Sequence, residues 1–156
     1  MQARLTVIAI AAASAALAAG CGGGSSTMSK ADYEAKIQAD GRAVQDAVAK
    51  ISASFSSIKT VAKEVAAAEV AAKKAADDLD AANPPKEVAA DNDTLVIALR
   101  AIDAELKKLA QAAKDGDQVA AAQAASAIQS SPQIQAGQAA VKDMKKKGYK
   151  VGVLGN

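Results

Sequence analysis

The chain has 156 residues, with 19 Lys and Arg against 17 Asp and Glu, and it contains no His. The absence of His excludes His-ligated haem, His-containing zinc sites, catalytic Ser-His-Asp and Cys-His arrangements, and His-based pH switches. The near balance of charge argues against a nucleic-acid partner, and an aromatic content of 2% leaves few rings to stack on bases or sugars. We therefore expect a protein that is neither an enzyme nor a nucleic-acid binder.

The N-terminus predicts an export signal over residues 1–20. Arg4 gives the start a positive charge, and residues 5–19 form an uncharged apolar run that ends in small residues. This order is typical of a secretory signal peptide. A membrane-spanning helix needs about 20 strongly apolar residues. Because this run is shorter and rich in Ala, we expect it to be removed.

The only cysteine, Cys21, follows the apolar run directly. The sequence Ala18-Ala19-Gly20-Cys21 resembles the lipobox of bacterial lipoprotein precursors, in which Leu is usual where this chain has Ala18. The resemblance implies a covalent diacylglyceryl group on the Cys21 thiol, cleavage before Cys21, and no other cofactor. Two acyl chains anchor a protein stably where one is marginal. The resemblance therefore implies an exported protein that lipid holds on the outer face of the cell membrane.

Two alternatives to lipidation remain open. Ala16-Leu17-Ala18 also matches an ordinary A-x-A cleavage site, which would release a soluble protein. Cys21 could also stay a free thiol, since the chain has no second Cys for a disulfide. Residues 22–27 (GGGSST) read as a flexible spacer. We assign residues 21–28 to the lipidated Cys and a linker that joins it to a folded body.

A helical body is predicted over residues 29–148. Residues 29–32 (SKAD) fit a capping box, and apolar residues then recur at helical spacing over 33–79. Either one very long helix covers this stretch, or the chain turns at residues 52–57, where Ser is frequent. A single helix would be about 80 Å long, far longer than its partners. We therefore favour the turn.

Turn signals divide the rest of the body. The Pro84-Pro85 pair stops one helix and can start the next. The best heptad pattern of the chain follows, at Val88, Leu95, Leu99, Ile102, Leu106 and Leu109. Gly116 is suited to end that helix in a left-handed conformation and Asp117 to cap the next one. The last helix is predicted to break at Pro132 and to end at Gly148.

These segments predict an all-α protein, an up-down-up-down four-helix bundle whose last helix is broken at Pro132. The alternative is a three-helix bundle with one very long first helix. Ala occupies many seam positions, so the helices can approach closely while each residue buries little area. Residues 149–156 alternate like a strand without a partner strand. We expect them to form an extended tail across one end of the bundle.

A second resemblance covers most of the chain after Cys21. Its landmarks are Pro84–Asp91, then Leu95 and Leu99-Arg100, then Lys114-Asp115-Gly116-Asp117, and the closing Lys147–Gly152. These are similar to segments of small Ala-rich actinobacterial lipoproteins. The resemblance rests mainly on turns and heptads, and the family has no established activity. It therefore implies a fold and a location and leaves the function open.

An acidic cluster around the Pro-Pro turn is the first candidate site. Its main carboxylates are Asp77, Asp78, Asp80, Asp91 and Asp93. Clustered carboxylates can bind Ca²⁺, but the spacing matches no EF-hand loop. We favour a solvated helix end and expect no metal. Tyr33 and Tyr149 are expected to pack at helix ends with their hydroxyls in water.

A basic run near the C-terminus is the second candidate site. Its members are Lys142, Lys145, Lys146, Lys147 and Lys150. Such a run could contact anionic lipid headgroups or anionic wall polymers. We favour the simpler interpretation, in which these cations lie at a helix C-terminus because the helix dipole stabilises them there.

The leading hypothesis is a membrane-anchored, non-enzymatic module of the cell envelope with a structural or interaction role. Its partner would be an envelope protein or a wall polymer, and exposed heptad faces leave the oligomeric state open. The alternative is a carrier of small apolar ligands that uses the bundle core. A sizeable apolar cavity would favour the carrier, and a filled core the interaction module. Two carboxylates that converge in a buried cleft would favour an enzyme.

Overall fold

The structure, a computed structural model, describes residues 26–53 and 58–152. The predicted signal over 1–20 and Cys21 lie outside these residues. So do residues 54–57, which form most of the predicted turn, and residues 153–156 of the predicted tail. In the described part of the chain the regular structure is helical and contains no strand. The all-α prediction is confirmed.

Five α-helices of the described chain form a four-helix bundle, because the last two together occupy one position in it. The α-helices are α1 at Lys30–Ala53, α2 at Ile58–Asp80, α3 at Ala89–Asp115, α4 at Gln118–Ser130 and α5 at Pro132–Lys146. A short 3₁₀ helix at Lys86–Val88 precedes α3. Because α4 and α5 both pack along α3, one after the other, they act as a single fourth helix that is interrupted at Ser131. The four-helix bundle with a last helix broken at Pro132 is confirmed.

The first two helices pack side by side and run antiparallel. Lys36, near the start of α1, lies 4.0 Å from Asp78, near the end of α2, measured from Nζ to Oδ1. Ile51, near the end of α1, shares a cluster with Val65. In one continuous helix, at about 1.5 Å per residue, Lys36 and Asp78 would be tens of ångströms apart. This contact excludes the alternative of one very long first helix.

Helix α3 lies at the centre of the bundle, against α2 on one side and against α4 and α5 on the other. Its heptad residues Leu95, Leu99 and Leu106 are buried, and Ile102 packs against both core clusters. The segment with the strongest heptad pattern is therefore the one that most other helices contact.

Capping side chains mark the helix ends where they were predicted. The Ser29 hydroxyl oxygen accepts a hydrogen bond from the Asp32 N–H at 3.1 Å and donates one to the Asp32 carboxylate. Gly116 ends α3 with a φ of +71°, a conformation that glycine adopts without strain. Asp117 then accepts a hydrogen bond from the Ala120 N–H at 2.9 Å.

Two proline positions behave differently. Pro132 takes the first position of α5, and the Ser131 hydroxyl oxygen accepts a hydrogen bond from the Ile134 N–H. Pro85, in contrast, precedes the 3₁₀ helix, and α3 begins only at Ala89. The expectation that the Pro84-Pro85 pair starts the third α-helix is therefore wrong by about one turn.

The core divides into two clusters at opposite ends of the bundle. At the proximal end, where α1 and α3 begin, the larger members are Tyr33, Ile37, Leu79, Leu99, Met144 and Tyr149. At the distal end the buried members are Ile51, Val65, Ala68, Ala72, Leu106 and Ala110. Half of the distal members are Ala, so that end buries less apolar area per residue.

Residues 149–152 cross the proximal end without helix or strand pairing, as predicted for the start of the tail. Tyr149 and Val151 are buried. The Glu34 carboxylate accepts a hydrogen bond from the Lys150 N–H at 3.0 Å, and the Gln38 side chain donates one to the Lys150 carbonyl. The tail therefore ties α1 to the end of α5.

Candidate functional site

A buried polar network lies at the proximal end, between α1, α2 and α3. The Tyr33 hydroxyl donates to the side-chain oxygen of Asn92 at 3.0 Å, and the Asn92 side-chain nitrogen donates to the Leu79 carbonyl at 3.0 Å. Burial, followed by the charge of Asp91, raises the pKa of Tyr33. The expectation that this hydroxyl meets water is wrong, because Tyr33 is fully buried.

The sequence predicted no role for Asn92, which is the one buried polar residue in the described part of the chain. A signal was present. Asn92 lies four residues after Val88 and three before Leu95, so it falls on the buried stripe of α3. An amide at such a position needs a hydrogen-bond partner. Its partner Tyr33, 59 positions earlier, cannot be identified from this spacing.

Tyr149 anchors the tail on the proximal surface. Its hydroxyl donates to Glu87 at 2.6 Å, and its ring meets the Tyr33 ring edge-on at 6.2 Å between centroids. The Lys30 ammonium lies 4.6 Å from the centroid of the same ring. Burial and the hydrogen bond to Glu87 raise the pKa of Tyr149 to about 12. Through its contacts with Glu87, Tyr33 and Lys30, Tyr149 holds the start of the tail against the proximal end.

The lysines of the basic run fall into separate groups. Lys147 donates to Asp91 at 2.7 Å and pairs with Asp143 at 2.8 Å. The hydrogen bonds to these two carboxylates raise the pKa of Lys147. Lys150 is exposed in the tail, and its backbone bonds to α1. Three lysines are exposed on the outer face of α5 and form no ion pair with a described residue: Lys142, Lys145 and Lys146.

Four of the five main carboxylates around the Pro-Pro turn form ion pairs with described residues, and Asp93 does not. The pairs are Asp77 with Lys73, Asp78 with Lys74, Asp80 with Arg100, and Asp91 with Lys147. Within residues 26–53 and 58–152, no group of three or more Cys, Asp or Glu side chains is placed to hold a metal ion. These carboxylates therefore link positions within and between helices.

One pair of carboxyl groups faces across the α1–α2 interface. Asp40 Oδ2 is buried without a hydrogen-bond partner, and the Lys36 ammonium lies 3.9 Å from it. Burial is the main cause that raises the pKa of Asp40, and Asp78 adds to the rise. The hydrogen bond from Lys74 lowers the pKa of Asp78. Apart from Asp40 and Lys74, the adjoining groove is lined by Ala methyl groups, which offer little to orient a substrate.

Two partly open hollows of very different volume lie between described helices. Between α3 and α5, beside Ala98 and Gly137, the cavity volume is about 30 Å³, enough for a water molecule or two. At the distal end a groove of about 460 Å³ opens to solvent. Its described lining residues are Ile51, Val61, Leu109, Ala113, Gln118, Ala121, Ala122 and Ala125.

Comparisons of the chain with protein-family models, with curated proteins and with solved structures find no match. Among the helices described above, none is both long enough and apolar enough to cross a membrane.

Proposed function

We propose that this protein is a lipid-anchored module of the cell envelope that acts through binding or structural contacts and does no catalysis. The observation that carries the proposal is Cys21 in its lipobox-like setting, followed by a short spacer and a helical body. Residues 22–29 join Cys21 to the start of α1 at Lys30. Fully extended, they span at most about 28 Å. An acylated Cys21 therefore keeps the body close to the membrane surface.

The packing of the body supports a binding or structural role. The hollow between α3 and α5 has a volume of only about 30 Å³, and four of the five main carboxylates near the Pro-Pro turn pair with lysine or arginine. The facing carboxyl groups of Asp40 and Asp78 are beside Ala methyl groups and two lysines. These features favour a surface for partners over a site that orients a substrate.

In the proposed anchored protein, the end of the bundle that the spacer joins is the end that faces the membrane. The Met28 N–H donates to the Asn83 carbonyl at 2.8 Å, so the spacer joins the body beside the α2–α3 connection. The tail lies at the same end, against Lys30. In the proposed geometry the proximal end is next to the bilayer. The distal end points away by about the length of α1, whose 24 residues span about 36 Å.

Acyl labelling in the native host tests the anchor. Cells grown with an alkyne-tagged fatty acid should produce a tagged protein in the membrane fraction, because the acyl chains are attached to Cys21. The Cys21→Ser variant should carry no tag, whereas Ser26→Ala in the spacer should be tagged normally. Equal tagging of the Cys21→Ser variant, or no tag on the wild-type chain, would refute the anchor.

The distal groove favours a second candidate function, a carrier of apolar ligands. Its volume is about 460 Å³, and Gln118 is the one polar side chain among its described lining residues. An apolar fluorescent dye should then bind with saturation. Ala122→Phe, which fills the groove, should abolish binding, and Ala136→Phe, which adds the same volume at an exposed position of α5, should preserve it. Dye binding that does not saturate would rule out the carrier.

A further inference from the structure

The outer face of α5 carries three exposed lysines. Lys142, Lys145 and Lys146 are spaced by three and four residues, so their side chains leave the helix on one side. Val141 and Met144, on the opposite side, are buried. The three lysines are exposed and form no ion pair with any described residue. We call this set the lysine face.

The acidic residues nearest to the lysine face are occupied elsewhere. Lys147 bonds to both Asp143 and Asp91, and its hydrogen bond is the main cause that lowers the pKa of Asp143, to which Lys146 adds a smaller charge effect. Lys147 thus offsets one of these two negative charges. Together with Lys147 the lysine face supplies four positive charges against the two negative charges of Asp91 and Asp143, so the C-terminal end of α5 keeps a net positive charge.

The lysine face lies at the end of the bundle where the spacer joins the body. Lys145 and Lys146 are in the last turn of α5. The chain then passes Gly148 and reaches Tyr149, whose ring lies under the Lys30 ammonium at 4.6 Å. Lys30 is the first residue of α1 and follows Cys21 by nine positions. A tether at Cys21 therefore holds these cations within reach of the bilayer surface.

We propose that the lysine face docks on the anionic phospholipid headgroups of the membrane that carries the anchor, and so gives the bundle one orientation, with the C-terminal end of α5 towards the bilayer. The inference rests on the proposed lipid anchor. Each Lys near an anionic bilayer strengthens the contact by about fivefold. The attraction falls off within a Debye length, about 8 Å at physiological salt, so the short spacer is needed to keep the face close enough.

Lysine labelling on vesicles tests the docking. The acylated protein is reconstituted into vesicles of phosphatidylcholine alone, or mixed with phosphatidylglycerol, and treated with an amine-reactive reagent. Mass spectrometry then gives the labelling rate of each lysine. The lysine face should react about fivefold more slowly on the anionic vesicles, and high salt should remove the difference. The matched control lysines are also exposed and form no ion pair with a described residue, but they lie towards the distal end: Lys50, Lys63 and Lys114.

A tryptophan probe gives a second readout, since the chain has no Trp. Gln138→Trp places one on the exposed side of α5, one turn before Lys142. Brominated anionic lipid should quench its fluorescence. Lys142→Gln/Lys145→Gln/Lys146→Gln should abolish the quenching, whereas Lys50→Gln/Lys63→Gln/Lys114→Gln, with the same change of net charge, should leave it intact.

The outcomes separate the docking from the anchor. The intact mass of the starting protein reports the acyl group before any vesicle is used, and a missing acyl group would overturn the proposed function. Equal labelling of the lysine face on both kinds of vesicle would overturn the docking and leave the anchor standing. Protection that appears only when an anionic wall polymer is added would also overturn it, because the partner would then be the polymer.

Discussion

The proximal and distal ends of the bundle are packed with different kinds of side chain. The proximal core contains two tyrosines, Met144 and a satisfied Asn92, and the tail covers it. The distal core is half Ala, and a groove of about 460 Å³ opens beside it. Because burial stabilises in proportion to apolar area, the two ends differ in stability. We infer that the proximal end forms the rigid part of the fold and that the distal end is more open to partners.

Truncating one core residue at each end should give the largest effects and the clearest contrast. Leu79 is completely buried in the proximal core, and Leu79→Ala should lower the free energy of unfolding by about 3–5 kcal/mol through lost contacts and a new cavity. Ile51 borders the distal groove, so Ile51→Ala should cost about 2 kcal/mol. Urea denaturation of both variants measures the difference. Equal losses would show that the two ends are packed equally well.

The buried amide at the proximal end should give the next largest effect. Asn92→Ala leaves the Tyr33 hydroxyl without its partner, whereas the Leu79 carbonyl still accepts a hydrogen bond from the Ala82 N–H at 3.2 Å. The change should cost about 1–3 kcal/mol. Tyr33→Phe removes the hydroxyl instead. Because both changes break the same hydrogen bond, the double variant should lose about 1 kcal/mol less than the sum of the single losses. Strictly additive losses would mean that the network does not act as a unit.

The close contact between α3 and α5 predicts that Gly137→Ala destabilises the wild-type protein but stabilises a variant in which the facing Ala98 is replaced by Gly. A Cβ atom at Gly137 would lie 2.5 Å from the Cβ atom of Ala98, so Gly137→Ala should cost about 1–2 kcal/mol through overpacking. In an Ala98→Gly background the space is available. There Gly137→Ala should stabilise by up to about 1 kcal/mol, because Ala favours helix over Gly. Thermal unfolding of the four variants distinguishes these results, and a loss in both backgrounds would be evidence against the close approach.

The smallest predicted effect concerns Asp40, on the α1–α2 interface, and depends on pH. Its pKa is raised from the ordinary value of 3.8 by burial, so the folded chain binds this proton more tightly than the unfolded chain does. The favourable contribution of protonated Asp40 to the free energy of unfolding is therefore complete below about pH 3.8, and it is lost as the pH rises through the raised pKa. Asp40→Asn should stabilise the protein at pH 7, and the gain should shrink as the solution is acidified.

A matched exposed carboxylate controls this pH experiment. Asp46 lies on α1 and is exposed, so Asp46→Asn should change stability little at either pH. The comparison uses the free energy of unfolding in urea at pH 7 and near pH 4. A gain for Asp40→Asn that stays constant with pH would indicate an effect of shape and not of charge.

The helix ends could be predicted because their causes are local. The Ser29 cap, the left-handed Gly116 and the Ser131 cap all act within a few residues along the chain, and such spacings are visible in the sequence. The pairing of α1 with α2 followed from helix length, since one helix of about 80 Å would have had no partner to bury its apolar stripe.

The contacts between helices could not be predicted from the sequence. Tyr33 meets Asn92 across 59 positions, and Lys147 meets Asp91 across 56. Such pairs depend on the relative rotation of whole helices, which no local spacing specifies. For the same reason the basic run appeared uniform, although the fold uses Lys147 internally and leaves the lysine face unpaired. The distal groove likewise arises from the way small residues on different helices pack together.

Mass spectrometry of the mature N-terminus, on protein isolated from native membranes, tests the lipid anchor most directly. We predict a chain that begins at Cys21 and carries a diacylglyceryl thioether on that residue. A chain that begins after Ala18, has an unmodified Cys21 and is recovered from the culture fluid would contradict the anchor and the orientation of the bundle that depends on it.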